Sequence, residues 1–536
     1  MDTMRKIKLI LSFLTLMSLS LSAQDFKVMR GDCMPQLAMD GGADMSHAGM
    51  KHILPVTNTK WDPEKIYKQL VILIEFKLDS TFFQNSNPRE LYNRIFNEYG
   101  YNQRNGVGCV ADYFRDQSEG LFNLSFDVYG PYKINSKSQP YSNPNANTRN
   151  YGTSAVAEAT RLFLAENPDI EFSQYDWDND GKVDQVIYVY AGLPGNLSLD
   201  SSYGRIWPNT GTFSTITTKD NHTISKYSSS GEYWPTASKA SCGIGTICHE
   251  FTHCLGLPDI YPTAANNYAS MLDEWDLMDG GNFTNYGWCP PNFTPLEKWL
   301  LGWLSFTDID EPATIKGMKP VADGGEVYRI KHSDSEWLLL ENKQRKGWDA
   351  GNPGSGLLIY HVNYDNTVWR NNSVNIDDTH PRFVLVNADN HDYNYWNSYI
   401  ASNNLSTYVN AGHMNSRFLS MSAYPLLNDN MEIVNDELTD TSVPAAEMFY
   451  PNLEEKTILA KPITNIRVSD DGLVSFDYMG GATTGITEHT TAKTSISGKV
   501  MYDLSGRNMP MSKTCRGIYF VRSTDGTVVK QIRKQR

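Results

Sequence analysis

The spacing of hydrophobic residues divides the first half of the chain into predicted strands and helices. Near-continuous apolar runs at residues 70–76 and 186–190 are typical of strands that are buried on both faces. Apolar residues at helical spacing predict helices at residues 107–117 and 154–166. We therefore expect helices packed against a sheet, which is an α+β arrangement.

The pattern changes farther along the chain. Residues 204–234 are rich in Ser, Thr, Asn and Gly, and we expect them to form loops with short strands. After residue 303, short β-prone runs follow one another at residues 326–330, 337–341, 356–362 and 383–386. They predict a β-rich, sandwich-like region over residues 311–480.

Between these halves lies a predicted buried helix that carries polar residues. Ile244, Ile247, Cys248, Phe251 and Leu255 recur at helical spacing, a glycine follows at position 256, and a proline at 258 prevents the helix from resuming.

Two histidines on this helix have the spacing of metal ligands. His249 and His253 stand one turn apart and project to the same side, so both imidazoles can bind one zinc ion. Glu250 lies between them and can take a proton from a water molecule whose pKa the ion lowers. The pattern therefore predicts hydrolysis of peptide bonds.

The third zinc ligand has two candidates. Asp259 lies six residues after His253, beyond a glycine turn, which is metzincin spacing with Asp where the last His usually stands. Glu274 lies at the kind of distance used in the other zincin layout, in which a second helix supplies a glutamate. Met278 precedes a glycine-rich turn that resembles the methionine turn under a metzincin zinc site.

These motifs resemble the immune inhibitor A family of secreted metallopeptidases. The likeness rests on HEFTHCLGLPDIY at 249–261 and WDLMDGG at 275–281, and on similar segments at 71–76, 110–120, 127–131, 295–303 and 339–344. It implies a metzincin-like catalytic domain over residues 66–310, with protein or peptide substrates. It also implies zinc on His249, His253 and Asp259, with Glu250 as the general base. The alternative is a catalytically silent binding or adhesin protein, which would not need Glu250.

A second candidate metal site precedes the strand at 186–190. Asp176, Asp178, Asp180 and Asp184 occupy positions 1, 3, 5 and 9 of a loop with Gly181 at position 6, which is the spacing of an EF-hand calcium loop. The glutamate expected at position 12 is missing. The sequence therefore predicts either a calcium site that needs another ligand or an acidic turn.

Both ends of the chain suggest export. Basic residues precede an apolar run in residues 1–23, which predicts a signal peptide, and residues 24–62 are typical of a leader or pro-segment in which Cys33 could bind the zinc. Residues 481–494 predict a linker. Residues 495–536 resemble a type IX secretion sorting domain, which implies outer-membrane secretion machinery as a partner and a secreted or cell-surface location.

The charge and composition of the chain limit the classes of partner that it can bind. The net charge of −14 over 536 residues argues against nucleic acid, and no later segment has the roughly 20 apolar residues of a membrane span. The seven cysteines permit disulfides but leave at least one thiol unpaired, and their pairing stays open.

Overall fold

The structure is a computed structural model. It describes residues 61–138, 148–197, 205–236, 238–263, 271–377, 379–392, 419–451 and 457–482, residues 395, 398, 402 and 455, and four strands between 500 and 533. The expected signal peptide, Cys33 and nearly all of the expected leader and linker lie outside the described residues. None of the described helices is long and apolar enough to cross a membrane.

The first half of the described chain combines five strands with five helices. The strands are β1 (Ile66–Phe76), β2 (Asn123–Ile134), β3 (Val186–Tyr190), β4 (Asn209–Thr217) and β5 (Thr223–Gly231). The helices are α1 (Pro88–Asn97), α2 (Val110–Gln117), α3 (Thr148–Glu166), α4 (Gly245–Leu255) and α5 (Pro295–Leu300).

The five strands form one sheet in the order β2-β1-β3-β5-β4. All neighbours are parallel except β4, which runs antiparallel to β5 at the edge. β1 is buried on both faces, because Val71 and Leu73 join the core shared with α4 whereas Leu70 and Ile72 join the core on the α3 side. The α+β arrangement and the apolar run that predicted β1 are both found.

The polar segment at 204–234 differs from the expectation of loops with short strands. It forms β4 and β5, two strands of nine residues each. Ser228, Ser229 and Ser230 are buried on β5, where backbone pairing with β3 and β4 satisfies the main chain. Small hydroxyl side chains fit this position, although their composition is typical of loops.

The second half of the chain is β-rich, as the pattern predicts. It contains β6 (Thr307–Asp308), β7 (Ala313–Met318), β8 (Tyr328–Lys331), β9 (Glu336–Lys343), β10 (Gly356–Asn363), α6 (Asn366–Arg370), β11 (Phe383–Leu385), β12 (Leu426–Leu427), β13 (Ile433–Asn435), β14 (Ile463–Val468) and β15 (Val474–Tyr478). The larger sheet has the order β11-β10-β9-β8-β6, and a three-stranded sheet has the order β14-β15-β7.

The two halves share one hydrophobic core. Phe251 of α4, Leu339 of β9 and Tyr360 of β10 belong to the same cluster of buried residues. The first compact unit accordingly extends to Gly481 without a division at residue 310. The boundary expected at 310 stays a prediction, because one core cluster crosses it while another contains only residues from 309 onward.

The second compact unit begins at Ala482. Its described part is an antiparallel sheet in the order β17-β16-β18-β19, formed by β16 (Val500–Tyr502), β17 (Asn508–Met509), β18 (Gly517–Arg522) and β19 (Val528–Arg533). Its role as a sorting domain stays a prediction.

Candidate metal centre

The candidate metal centre is built on α4, in which every residue except Thr246 and Cys254 is buried. Ile247, Cys248, Phe251 and Leu255 are buried as predicted. The helix begins in close contact with the turn at 281–287, since a Cβ on Gly245 would lie 2.0 Å from the carbonyl oxygen of Asn282.

Gly256 ends the helix in the left-handed conformation, with φ at 105°. Its N–H donates to the carbonyl oxygens of His253 and Thr252. The chain can then turn back toward the histidines.

Two backbone carbonyls orient the histidines. Nδ1 of His249 lies 2.8 Å from the carbonyl oxygen of Leu277, and Nδ1 of His253 lies 2.8 Å from that of Leu257. A carbonyl oxygen only accepts hydrogen bonds, so each Nδ1 carries a proton, and the neutral form of each imidazole has its lone pair on Nε2. Both imidazoles are therefore in the tautomer that binds a metal through Nε2.

The chain reverses direction after Gly256, so that Asp259 faces both histidines. Its Oδ1 lies 3.2 Å from Nε2 of His249 and 3.2 Å from Nε2 of His253, and all three side chains are fully buried. Oδ1 of Asp259 and Nε2 of His253 nevertheless form no hydrogen bond of good geometry. Buried polar atoms without partners are rare in proteins. Nitrogen and oxygen ligands at this spacing fit a zinc ion as the missing partner.

The pKa of Asp259 reflects the same arrangement. Burial raises the pKa of the carboxyl group, but His253 and His249 more than offset this effect and hold it well below its usual range. Asp259 is therefore ionised, as a metal ligand must be.

Glu250 lies on the helix between the two histidines. Oγ1 of Thr210 on β4 lies 2.6 Å from the backbone carbonyl oxygen of Glu250 and 3.0 Å from its Oε2, so the two oxygens share one hydroxyl hydrogen, whereas the buried Oε1 forms no hydrogen bond. Burial raises the pKa of Glu250 to about 7 in the chain without metal. One carboxylate oxygen is thus anchored and the other remains able to take up a proton.

The segment around Met278 contacts the candidate metal centre through two backbone carbonyl groups. Met278 is fully buried in the core that contains α4. Its N–H donates to Oδ1 of Asp276 at 2.6 Å, and its carbonyl accepts the N–H of Ile260 at 2.9 Å. The preceding residue, Leu277, supplies the carbonyl that orients His249. This turn therefore positions both a histidine and the chain next to Asp259.

The rival ligand is placed elsewhere. Among the described residues, ligand atoms of His249, His253 and Asp259 lie within 4.8 Å of one another, and Glu274 does not belong to this group. Glu274 lies in a short 3₁₀ turn at Asp273–Trp275. The geometry therefore favours Asp259 as the third ligand.

Comparison with known proteins agrees with this site. Residues 57–300 match the immune inhibitor A peptidase M6 catalytic domain. The matched M6 segment contains α4, Glu250 and all three residues of the metal-competent group. The match supports a metallopeptidase with zinc as its metal.

Individual relatives are similar at low identity. The chain is 21% identical over 274 residues to the pre-pro-metalloprotease PrtV of Vibrio cholerae, a match that covers 46% of this chain and 28% of the relative. It is 22% identical over 387 residues to immune inhibitor A of Bacillus thuringiensis subsp. alesti, covering 62% of this chain and 53% of the relative. The chain thus spans about half or less of the length of these relatives.

The acidic loop of the M6 segment is only partly assembled. Asp176, Asp178 and Asp184 bring carboxylate oxygens within 4.8 Å of one another. Asp180 is outside this group, because its Oδ2 pairs with Nζ of Lys182 at 2.9 Å on the surface. Oδ1 and Oδ2 of Asp176 accept the N–H groups of Asp180 and Gly181. The structure therefore brings three of the four predicted calcium ligands together.

The described cysteines are all free thiols. They are Cys109, Cys242, Cys248, Cys254 and Cys289. Within the described part of the chain, these five cysteines form no disulfide.

Two residues that contact the candidate site were not predicted from the sequence. Thr210 bonds to Glu250 from β4, and Asn372 bonds to Asp259 from beyond the matched segment. Thr210 lies in a Ser/Thr-rich stretch and Asn372 follows a short helix. Neither pattern distinguishes such a residue from an ordinary turn or strand residue.

Proposed function

We propose that this chain is a secreted zinc-dependent endopeptidase. His249, His253 and Asp259 bind the zinc ion, and Glu250 is the general base. The observation that carries the proposal is the convergence of two oriented Nε2 atoms and Oδ1 of Asp259 in a buried site beside the anchored carboxylate of Glu250.

A zinc ion in such a site acts as a Lewis acid and lowers the pKa of water. Glu250 takes the proton from the attacking water at Oε1 and returns it to the leaving amine. Thr210 holds Oε2, so that the carboxylate keeps one orientation during both transfers.

The substrate is an extended polypeptide that lies along β4. Among the described strands, β4 pairs only with β5, so its other edge can pair with a peptide backbone. Thr210 of β4 also contacts Glu250, which puts this edge beside the general base. Binding through main-chain hydrogen bonds is compatible with cleavage of many protein sequences.

Two further parts of the proposal concern the rest of the chain. Asp176, Asp178 and Asp184 bind calcium and stabilise the loop that carries Trp177, whose ring contacts Phe251 of α4 at a centroid distance of 6.3 Å. The second compact unit is recognised by outer-membrane secretion machinery. Deleting residues 497–536 should leave cleavage intact and retain the enzyme inside the cell envelope.

The decisive test is cleavage of a generic protein substrate by the purified chain after removal of the leader. We expect cleavage that stops in a zinc chelator and returns with zinc. His253→Ala should be inactive under all of these conditions. Zinc binding by the parent without any chelator-sensitive cleavage would contradict the enzyme and favour a protease-like binding protein.

A further inference from the structure

One amide side chain outside the matched segment holds Asp259 at two points. Oδ1 of Asn372 accepts the N–H of Asp259 at 2.6 Å, and Nδ2 of Asn372 donates to Oδ2 of Asp259 at 2.8 Å. Asn372 thus bonds both the main chain and the side chain of the same residue.

The two carboxylate oxygens of Asp259 therefore have separate partners. Oδ2 is engaged by Asn372, whereas Oδ1 faces Nε2 of both histidines at 3.2 Å. Rotation of the carboxylate would break the bond to Asn372. The amide consequently fixes which oxygen is presented to the histidines.

Asn372 is itself held rigidly. It is 4% exposed, and its φ of 51° lies in the left-handed region that asparagine tolerates better than most residues. Its N–H donates to the carbonyl of Trp369 at the end of α6, and its carbonyl accepts Oγ1 of Thr263 at 2.7 Å. The segment from Asp259 to Thr263 is thus attached to Asn372 at both ends.

A neighbouring asparagine extends the attachment. Nδ2 of Asn375 donates to the carbonyls of Ile260 and Phe383, and its Oδ1 accepts the N–H of Phe383. The ligand segment is therefore tied to β11 as well as to α6. Both asparagines lie beyond residue 300, where the family match ends.

We infer that Asn372 is a positioning residue of the metal centre, which fixes Asp259 as the third ligand and thereby sets the affinity for zinc. The inference rests on the proposed function. Hydrogen-bond partners of metal ligands typically contribute a factor of about 10 to 100 in metal affinity. Preorganised ligands bind metal more tightly because less conformational freedom is lost on binding.

The test compares two asparagines that share a backbone conformation. Asn372→Gly keeps the left-handed conformation accessible and removes both bonds to Asp259. Asn390→Gly is the matched control, since Asn390 is exposed and has φ of 56°. Asn372→Asp keeps the shape of the side chain and the acceptor for the N–H of Asp259, but places an oxygen against Oδ2.

The readouts are the zinc dissociation constant, measured by competition with a chromophoric chelator, and the visible absorption of the cobalt-substituted protein. We expect Asn372→Gly to weaken zinc binding by about tenfold or more and to change the cobalt spectrum. Asn390→Gly should match the parent in both. The melting temperature of the zinc-free proteins measures the purely structural cost of each glycine.

The outcomes separate the inference from the proposed function. Zinc binding by Asn372→Gly at parental affinity would overturn the inference and leave the zinc enzyme standing. If Asn372→Gly does not fold, Asn372→Asp decides by the same criterion. If the parent binds no zinc, or if His253→Ala binds zinc as well as the parent, both the inference and the proposed function are wrong.

Discussion

The metal centre and the acidic loop are both groups of three converging ligands, but they are assembled differently. In the metal centre, each ligand is oriented by a partner from another segment or turn: Leu277 for His249, Leu257 for His253 and Asn372 for Asp259. All three side chains are fully buried. In the acidic loop, backbone N–H groups of the loop itself satisfy much of Asp176, and Asp178 is exposed.

The difference in hydrogen-bond partners indicates which of the two sites depends more on a metal ion. Oδ1 of Asp259 and Nε2 of His253 are buried without a hydrogen bond of good geometry, which is costly and favours the binding of a cation. In the acidic loop, backbone N–H groups already bond to both carboxylate oxygens of Asp176. We therefore expect zinc to bind tightly and calcium to bind more weakly.

The largest effect should come from removing the general base. Glu250→Gln keeps the size of the side chain and an oxygen for Thr210, but it cannot take up a proton. We expect kcat to fall by a factor of about 10² to 10⁴ while zinc content stays at the parental level. Parallel measurement of kcat and bound zinc checks this, and parental turnover by the variant would exclude Glu250 as the base.

The next largest effect concerns the third ligand. Asp259→Ala should leave only the two histidines and give protein with substoichiometric zinc after dialysis. Glu274→Ala is the matched control, because Glu274 does not belong to the metal-competent group. Metal analysis of both variants is decisive: loss of zinc from Glu274→Ala alone would make Glu274 the ligand.

A smaller effect is expected at the acidic loop. Calcium should raise the melting temperature of the parent, since a ligand that binds only the folded state stabilises it. Asp178→Asn should abolish this increase, whereas Asp180→Asn should retain it because Asp180 pairs with Lys182. Thermal melts with calcium and with a calcium-selective chelator measure the shift. An equal shift in all three proteins would place the calcium elsewhere.

The smallest effect is expected at a buried carboxylate that needs no metal. Burial raises the pKa of Glu336, but the hydrogen bond from His361 and the N–H groups of Phe449 and Tyr450 lower it below its ordinary value. The pKa of a glutamate in an unfolded chain is about 4.3. Ionised Glu336 therefore stabilises the fold above about this pH, and the contribution is lost as the pH falls through the lowered pKa of the folded state.

Glu336→Gln should accordingly melt below the parent at neutral pH, and the difference should shrink in acid. Urea titrations at a series of pH values give the free energy of unfolding for both proteins. A difference that is the same at every pH would mean that the charge of Glu336 contributes nothing.

The sequence was most informative where short-range patterns decide the structure. The apolar spacing of α4, its end at Gly256 and the placement of both histidines follow from helical periodicity. The return of Asp259 was one of two alternatives, since spacing alone does not tell which carboxylate a turn brings back. β5 was missed because burial between two strands overrides the loop preference of serine.

Contacts between residues that are far apart in the sequence could not be predicted from local patterns. Thr210 and Asn372 lie 40 and 113 residues from the side chains they contact. No periodicity joins positions so far apart, and their contacts depend on the packing of the whole first unit. The candidate metal ligands could thus be identified from local spacing, whereas the residues that contact them could not.

The core shared by α4 and the β9–β10 strands has a consequence for how the first unit comes apart. Elements that bury the same apolar surface lose it together, so α4 and the strands β9 and β10 should unfold together. Local opening of the β-rich sheet would remove the support of α4 at the same moment. Loss of the β-rich sheet should therefore also disrupt the candidate metal centre.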